Sequence, residues 1–337
     1  MAGSAAITIG VFDGVHLGHA SLVRRARELA GESSGGTKDG PHGSGGRVVV
    51  MTFDPHPLEA LRPEIAPPRL STMAQRRRWL HDLGADEVVE LAPTPDLLAL
   101  EPAEFVDQIL MTHQPGWIVE GADFRFGAAR RGGVDTLKQL GASRAFKTDV
   151  LNAVDATLSD QTIVRASSSI ARWLIHQGRM RDAAILLGRP YEIEGSVVEG
   201  ARRGREIGCP TANIAAPHLA PAHGVYVGAA TLPDGRELPA AISVGDNPTF
   251  NGSRVSVEAH LLEEDGRPWS GGAEHGLPEY GWDIRLCIES WLRGQIRYTS
   301  VPPLVDQIRR DIDRTMTWWD RRGSVAGRSQ SLQESIA

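Results

Sequence analysis

The sequence predicts two domains: an α/β N-terminal half on a doubly wound, mostly parallel sheet, and a C-terminal half built as a β-barrel. Three observations carry this prediction. A chain of 337 residues is long enough for two domains of ordinary size. Up to about residue 186, short apolar, β-branched runs alternate with segments of helical periodicity, the pattern of a parallel sheet covered by helices. From Leu187 onward, that pattern gives way to short strands punctuated by Gly and Pro.

In chain order, residues 7–12 are a short buried strand, and 17–30 a helix with Leu17, Ala20, Val23, Ala26, Leu29 and Ala30 at helical spacing. Residues 31–46 are Gly- and Ser-rich without periodicity, a flexible surface loop. A second buried strand, 47–53, runs into Asp54-Pro55-His56-Pro57, where two prolines block regular continuation. Then come a helix at 73–83, a strand at 87–91, a helix at 102–111 and a strand at 117–120. A helix at 134–140, a strand at 145–151, a last strand at 161–165 and an amphipathic helix to residue 177 complete this half. The second half reads as strands at 191–198, 224–231, 238–244, 255–262 and 282–288. Leu304, Ile308, Ile312 and Met316 then mark a helix over 304–319.

Composition narrows the function classes. The chain is 41% hydrophobic and 23% charged, ordinary for a globular protein. A formal net charge of -6 argues against a general nucleic-acid binder. The basic clusters at Arg76-Arg77-Arg78 and Arg202-Arg203 read as solvated faces. Cys209 and Cys287 are too few for a disulfide framework. The start lacks a basic, apolar leader and no run reaches membrane-spanning length, so a cytoplasmic protein is expected.

The first strand-helix junction carries the chemistry. Asp13-Gly14-Val15-His16-Leu17-Gly18-His19 joins a strand end to a helix N-terminus, whose open N–H groups and dipole favour phosphate. Gly14 and Gly18 let the backbone turn and approach a ligand. His16 and His19, three residues apart, can reach one anion, which reads as the triphosphate of a nucleotide. An HxxH pair can also bind metal, but no third ligand sits nearby. The stretch is neither GxGxxG nor a P-loop.

Gly10 to His19, GVFDGVHLGH, resembles the HxGH signature of the nucleotidyltransferase superfamily. The form is that of prokaryotic bifunctional riboflavin kinase/FAD synthetases. TFDPHPLEAL at 52–61 resembles the same family, as does GADFRFG at 121–127, where Asp123 is the nucleotide-holding polar residue and the aromatics otherwise read as core. ASSSIAR at 166–172 resembles its ISSTxxR motif, with Ser169 for threonine and Ile170 where an arginine is often found, leaving Arg172 as the phosphate contact. The plain reading of Ser167 and Ser168 is helix N-capping. The resemblance implies that Gly10, Phe12, Asp13, Gly14, His16, Gly18, His19, Asp123, Ser167, Ser168 and Arg172 bind ATP, with His16, His19 and Arg172 catalytic.

From Leu187 the chain resembles the riboflavin kinase domain almost throughout. Pro210-Thr211-Ala212-Asn213 alone is a proline turn with an Asx cap or a set of hard oxygen ligands. After Arg203-Gly204-Arg205 and Gly208 it resembles the kinase's Mg-ATP site, so Arg203, Gly208, Pro210, Thr211 and Asn213 are expected around ATP and flavin, and Thr211 and Asn213 on Mg²⁺. Glu258 shares a face with Ser256, opposite Val255 and Val257. That face is either solvent or, as the resemblance implies, the seat of the catalytic base. Residues 264–278 are inserted before Glu279-Tyr280-Gly281, which stands where the family has LYG, and bear on flavin binding.

The resemblance implies a Rossmann-like FMN adenylyltransferase domain over 1–186. It implies a six-stranded antiparallel barrel with a terminal helix, the riboflavin kinase, over 187–322; the polar composition of 323–337 predicts a disordered tail. The expected substrates are riboflavin, FMN and ATP, handled with Mg²⁺ by a cytoplasmic monomer or weak homo-oligomer, with neither nucleic acid nor membrane as partner. Two other classes compete. An HxGH enzyme acting on phosphopantetheine or nicotinamide mononucleotide does not need a PTAN domain. A flavin-binding protein without catalysis does not need Glu258.

Overall fold

A computed structural model of the chain describes residues 5–32, 46–200, 202–246, 255–269, 271 and 276–334. Of the expected Gly- and Ser-rich loop, residues 33–45 lie outside the described residues, as do 270 and 272–275 of the insertion and 335–337 of the tail. The chain divides into two units, Met1–Ala171 with Leu186–Gly188, and Arg172–Ile185 with Arg189–Ala337. Residues 172–185 pack with the barrel. Ala222 N donates to Ile175 O at 3.2 Å, and a Cβ on Gly178 would meet the Tyr226 hydroxyl at 3.1 Å.

The first unit holds a five-stranded parallel sheet: β1 (Ala5–Gly10), β2 (Val48–Phe53), β3 (Glu87–Leu91), β4 (Pro115–Gly121) and β5 (Lys147–Leu151). The spatial order is β3-β2-β1-β4-β5, all parallel. Alternation along the strands builds two cores. Ala6, Val48 and Val50 pack with Val23, Ala26 and Leu29 of helix α1 (Leu17–Glu32). Ile7, Ile9, Val49 and Met51 face the other side, against Phe105, Leu110 and Leu137. Covering both faces explains why these strands read as unbroken apolar runs. Strand order reverses at β1, so its carboxyl end is the switch point where ligands bind in such sheets.

Two expectations for this unit are corrected. Ile163–Arg165 does not extend the sheet; it pairs antiparallel with Asp155–Thr157 as a separate ribbon, because a tight turn (Gln161 N to Leu158 O, 2.9 Å) returns the chain onto its immediate neighbour. The helix expected over 102–111 is a short α-turn, Pro102–Phe105, that widens into a π-turn, Val106–Leu110, and tightens into a 3₁₀ turn, Met111–His113. Helix α2 (Met73–Asp82) begins with a capping box in which Thr72 and Gln75 bond reciprocally. The next helices are α3 (Val134–Arg144), α4 (Ser168–His176) and α5 (Met180–Leu187).

The second unit is a closed six-stranded antiparallel barrel of β6 (Tyr191–Val198), β7 (Ala212–Ala215), β8 (Gly224–Thr231), β9 (Glu237–Asp246), β10 (Val255–Leu261) and β11 (Asp283–Arg293). Its order is β6-β7-β10-β9-β8-β11, closing on β6. Closure leaves no sheet edge. Helix α6 (Val301–Glu334) is fastened to the end of β11 by the Arg293 guanidinium, which donates to both oxygens of buried Asp311 at 2.7–3.1 Å. The helix extends past its expected end at 319, to Glu334. Among the described residues, no helix is long and apolar enough to cross a membrane.

Candidate active sites

In the first unit, the site grows from the turn after β1. Phe12 and Val15 hold positive φ, 51° and 39°, beside Gly14 at 78°. Such a turn needs an anchor, and Asp13 supplies it. Its buried carboxylate accepts from Leu70 N (3.0 and 3.1 Å), Ser71 N (2.9 Å) and Ser71 Oγ (2.8 Å). Gly14 N in turn donates to Ser71 Oγ at 2.9 Å. A Cβ at Gly14 would meet Leu70 Cδ1 at 2.9 Å. Asp13, expected to line the nucleotide, also clamps the turn.

Beyond the clamp, the His16 and His19 rings stack with centroids 3.7 Å apart and planes at 22°. The Phe12 ring backs His19 at 4.8 Å. A Cβ on Gly18 would come 3.1 Å from the His16 ring, so glycine lets the imidazole lie close to the helix start. Gly10, the last residue of β1, similarly leaves room for the Phe12 ring at 3.2 Å. The serine motif meets this turn: Ser168 Oγ donates to Asp13 O at 2.8 Å, and Ser167 Oγ accepts from Ile170 N at 3.3 Å as an N-cap. Arg172 lies on the same helix one turn beyond Ser168.

The neighbouring strand ends flank the turn. Asp123 is exposed on the turn after β4, closed by Phe124 N donating to Gly121 O at 3.0 Å. Phe124 and Phe126 stack at 5.5 Å and join the core, so the structural reading holds for both aromatics. Two groups here escaped sequence reasoning. Arg76, grouped with solvated arginines, is 3% exposed. It donates through Nη1 to Val11 O and Phe53 O, both at 2.9 Å, and to Thr52 Oγ1 at 3.2 Å, while Nη2 pairs with Asp54. One guanidinium therefore ties the exits of β1 and β2 together. The signal was available, since Gln75, Arg76, Trp79 and Leu80 share the buried face of α2. Glu120, 2% exposed, accepts from Ile9 N at 2.7 Å. Burial pushes its carboxyl well above the usual carboxylate range, against the pull of the Ile9 N–H.

In the barrel, register makes the site. Glu258 on β10 lies opposite Asn213 on β7 and Ser243 on β9, so the three share one face of the wall. Glu258 is partly buried, and Thr211 Oγ1 donates to its Oε2 at 3.3 Å. Gly200 lies over Asn213: a Cβ there would fall 2.0 Å from the Asn213 amide nitrogen. Pro210 is held by His260, two residues beyond Glu258 on the same face and 5% exposed. Its Nδ1 lies 2.6 Å from Pro210 O and, facing a carbonyl, carries the proton. Burial draws this imidazole below its usual pKa, opposed by the Pro210 carbonyl. Sequence reasoning missed His260, though its period-2 relation to Glu258 was legible.

The loop before this turn is pinned at charged contacts. Arg205 Nη2 meets Glu279 Oε1 at 2.8 Å, and Arg202 Nε donates to the Tyr280 hydroxyl at 3.0 Å. Arg202 stays exposed, as a solvated face requires, while making this contact. Arg205, then Tyr280, hold the Glu279 carboxyl below its usual range. Gly208 takes φ 76° in the same loop, and Arg203 opens the short helix Arg203–Glu206. Beneath lies a cavity of about 680 Å³ that reaches Thr211.

Comparison with known proteins follows the same division. Residues 2–167 match the FAD synthetase family and residues 187–319 the riboflavin kinase family. The chain is 33% identical over 311 residues to the bifunctional riboflavin kinase/FMN adenylyltransferase of Escherichia coli (strain K12), covering 90% of each chain. It is 29% identical to the protein of that name from Bacillus subtilis (strain 168), covering 90% of this chain and 89% of the other. A Streptococcus pneumoniae crystal structure described as a macrolide-efflux protein superposes with a TM-score of 0.77 at 27% identity, covering 94% of this chain and 95% of that one.

Proposed function

The chain belongs to the bifunctional riboflavin kinase/FMN adenylyltransferase family, and from that membership we propose how its residues divide the work. The C-terminal domain phosphorylates riboflavin to FMN, and the N-terminal domain adenylates FMN to FAD. Both are phosphoryl-type transfers, in which positioning and charge stabilisation do most of the catalysis.

In the adenylyltransferase, the FMN phosphate attacks the α-phosphorus of ATP and pyrophosphate leaves. His16 and His19 hold the phosphates at the helix start, where their rings stack. Ser168 and Arg172 add a hydroxyl and a guanidinium from α4. Asp13 and Arg76 hold the backbone of the turn, and Asp13 also lines the nucleotide site. Asp123, Gly10, Phe12 and Ser167 shape the pocket at the strand ends.

In the kinase, Glu258 accepts the proton of the ribityl hydroxyl as that oxygen attacks the γ-phosphorus of ATP, the bond to the β,γ-bridging oxygen breaks and ADP leaves. Thr211 and Asn213 would hold Mg²⁺, since both supply hard oxygens beside the Glu258 carboxylate. Magnesium, when bound, supplies charge neutralisation on the phosphates. Arg203 and Gly208 belong to the loop over the phosphates, and Pro210 sets the turn. The enzyme acts on small molecules in the cytoplasm, as a monomer or weak homo-oligomer and without nucleic acid. The net charge of -6 supports the last point.

The observation that carries this reading is the meeting of Thr211, Asn213 and Glu258, distant in sequence, on one face of the barrel wall. The test supplies the purified chain with riboflavin, ATP and Mg²⁺ and separates the flavins by chromatography. FMN followed by FAD is expected; no FMN would overturn the kinase assignment, and FMN without FAD the adenylyltransferase.

A further inference from the structure

The cavity beside Thr211 has walls that no functional assignment above explains. Trp269, Tyr280 and Trp282 form one side, and Val197, Ala259 and Leu261 supply aliphatic lining. The polar groups, Arg205, Glu279 and Thr211, are few. A concave, mostly apolar space of about 680 Å³ with a few polar groups has the character of a small-molecule site. Trp269 is 7% exposed and meets the Trp282 ring edge-on, at 5.8 Å between centroids and 70° between planes.

Backbone hydrogen bonds fix Trp269 in this place. After β10 the chain turns at Asp265-Gly266, where Gly266 takes φ 80°. Gly266 N donates to Glu263 O at 2.9 Å, and Glu263 N to Arg267 O at 2.8 Å. Trp269 N then donates to Leu261 O at 2.9 Å, laying the residue back along the strand that carries Glu258. Trp282 is tied as well, its carbonyl accepting from Val197 N at 2.9 Å.

We propose that Trp269 is a specificity-determining wall of the kinase site, against which the planar heteroaromatic ring of one substrate packs. The proposal rests on the kinase reading of the barrel. The ring is either the isoalloxazine of riboflavin or the adenine of ATP. Thr211, which lines the cavity, adjoins the groups assigned to both substrates, so position alone is common to the two. Indole faces bind such rings by stacking and tolerate different heteroatom patterns.

The test measures kinase KM for riboflavin and for ATP separately in the full chain, with Trp269→Leu and Trp269→Phe. Leucine keeps apolar volume and removes the ring; phenylalanine keeps a ring. Loss of one stacking partner should raise one KM about tenfold in Trp269→Leu, with kcat held within about twofold, and Trp269→Phe should restore most of it. A shift confined to riboflavin places isoalloxazine in the cavity; one confined to ATP places adenine there. Conversion of supplied FMN to FAD should be unchanged and reports that the first domain is folded, while the barrel's own melting temperature reports that the kinase domain is. Unchanged KM values in Trp269→Leu overturn the proposal. So does an equal loss in both variants that moves kcat, both KM values and the barrel's melting temperature together, the mark of a purely structural tryptophan. Failure of the kinase reading is separate, since the unsubstituted chain would then make no FMN.

Discussion

Replacing Arg76 by methionine removes the guanidinium that ties the exits of β1 and β2. Three oxygen acceptors lose their donor: Val11 O, Phe53 O and Thr52 Oγ1. Asp54 loses its closest cation but keeps Arg69 Nη1 at 3.4 Å. Breaking a buried ion pair by deleting one partner costs about 3–5 kcal/mol, and the surviving Arg69 contact puts this case near the lower end, about 3 kcal/mol. For a domain of this size, each kcal/mol lowers the melting temperature by about 2–4 °C, so the first domain should unfold roughly 6–12 °C earlier. The assay is thermal inactivation of FMN adenylation, with riboflavin phosphorylation in the same molecule as control. Adenylation should fail early while the kinase holds. Arg76→Lys should recover only part of the loss, because an ammonium lacks the planar fork that reaches two carbonyls at once. A shift below about 2 °C would mean that the guanidinium is not holding the strand exits, and the reasoning would fail.

Other outcomes follow from the same contacts. His260→Asn places an amide N–H near the position of Nδ1 and should keep kinase KM for ATP close to normal, whereas His260→Leu should raise it roughly tenfold by freeing the Pro210–Thr211 turn. Equal effects of the two changes would count against this positioning role. Thr211→Ala should raise the Mg²⁺ concentration needed for half-maximal kinase rate, and an unaltered Mg²⁺ titration would remove Thr211 from the ligand set. Glu120 predicts a pH effect. Its folded pKa is raised, so above the usual carboxylate range the unfolded chain has released a proton that the folded chain still holds. Stability of the first domain therefore falls as pH rises through that window. Glu120→Gln should raise the domain's melting temperature more at pH 8 than at pH 4; a gain independent of pH would contradict the buried, protonated carboxyl.

The legibility of the sequence followed the range of the interactions. β1, β2 and α1 were readable because both faces of the sheet and one face of the helix are apolar, and that pattern is local. The barrel showed itself in the change of period at Leu187, and the alternation around Glu258 put its side chain on the face that Asn213 shares. What stayed hidden depends on partners far along the chain. Arg76 looks like its neighbours Arg77 and Arg78 until Val11 and Phe53 are brought to it. The clamp that Asp13 makes on the turn stays hidden until Leu70 and Ser71, 57 and 58 residues on, are brought to its carboxylate. Ile163–Arg165 has the composition of a sheet strand, but its pairing partner is set by a local turn that composition does not reveal. Trp269 sits in a segment without a motif, and only the fold-back onto Leu261 places it in the wall of the cavity.

The central claim is that two chemistries run at two sites, one built on His16 and His19 and one on Glu258. The most direct measurement crosses His19→Ala and Glu258→Gln against both half-reactions, each given its own substrate. His19→Ala should lose about 10²–10³-fold in FAD formation from supplied FMN, while FMN formation from riboflavin continues at the normal rate. Glu258→Gln keeps shape and hydrogen bonding but removes the proton acceptor, so riboflavin phosphorylation should fall by about 10²–10⁴-fold with adenylation intact. Loss of both activities in either variant, or normal kinase turnover in Glu258→Gln, would contradict the account.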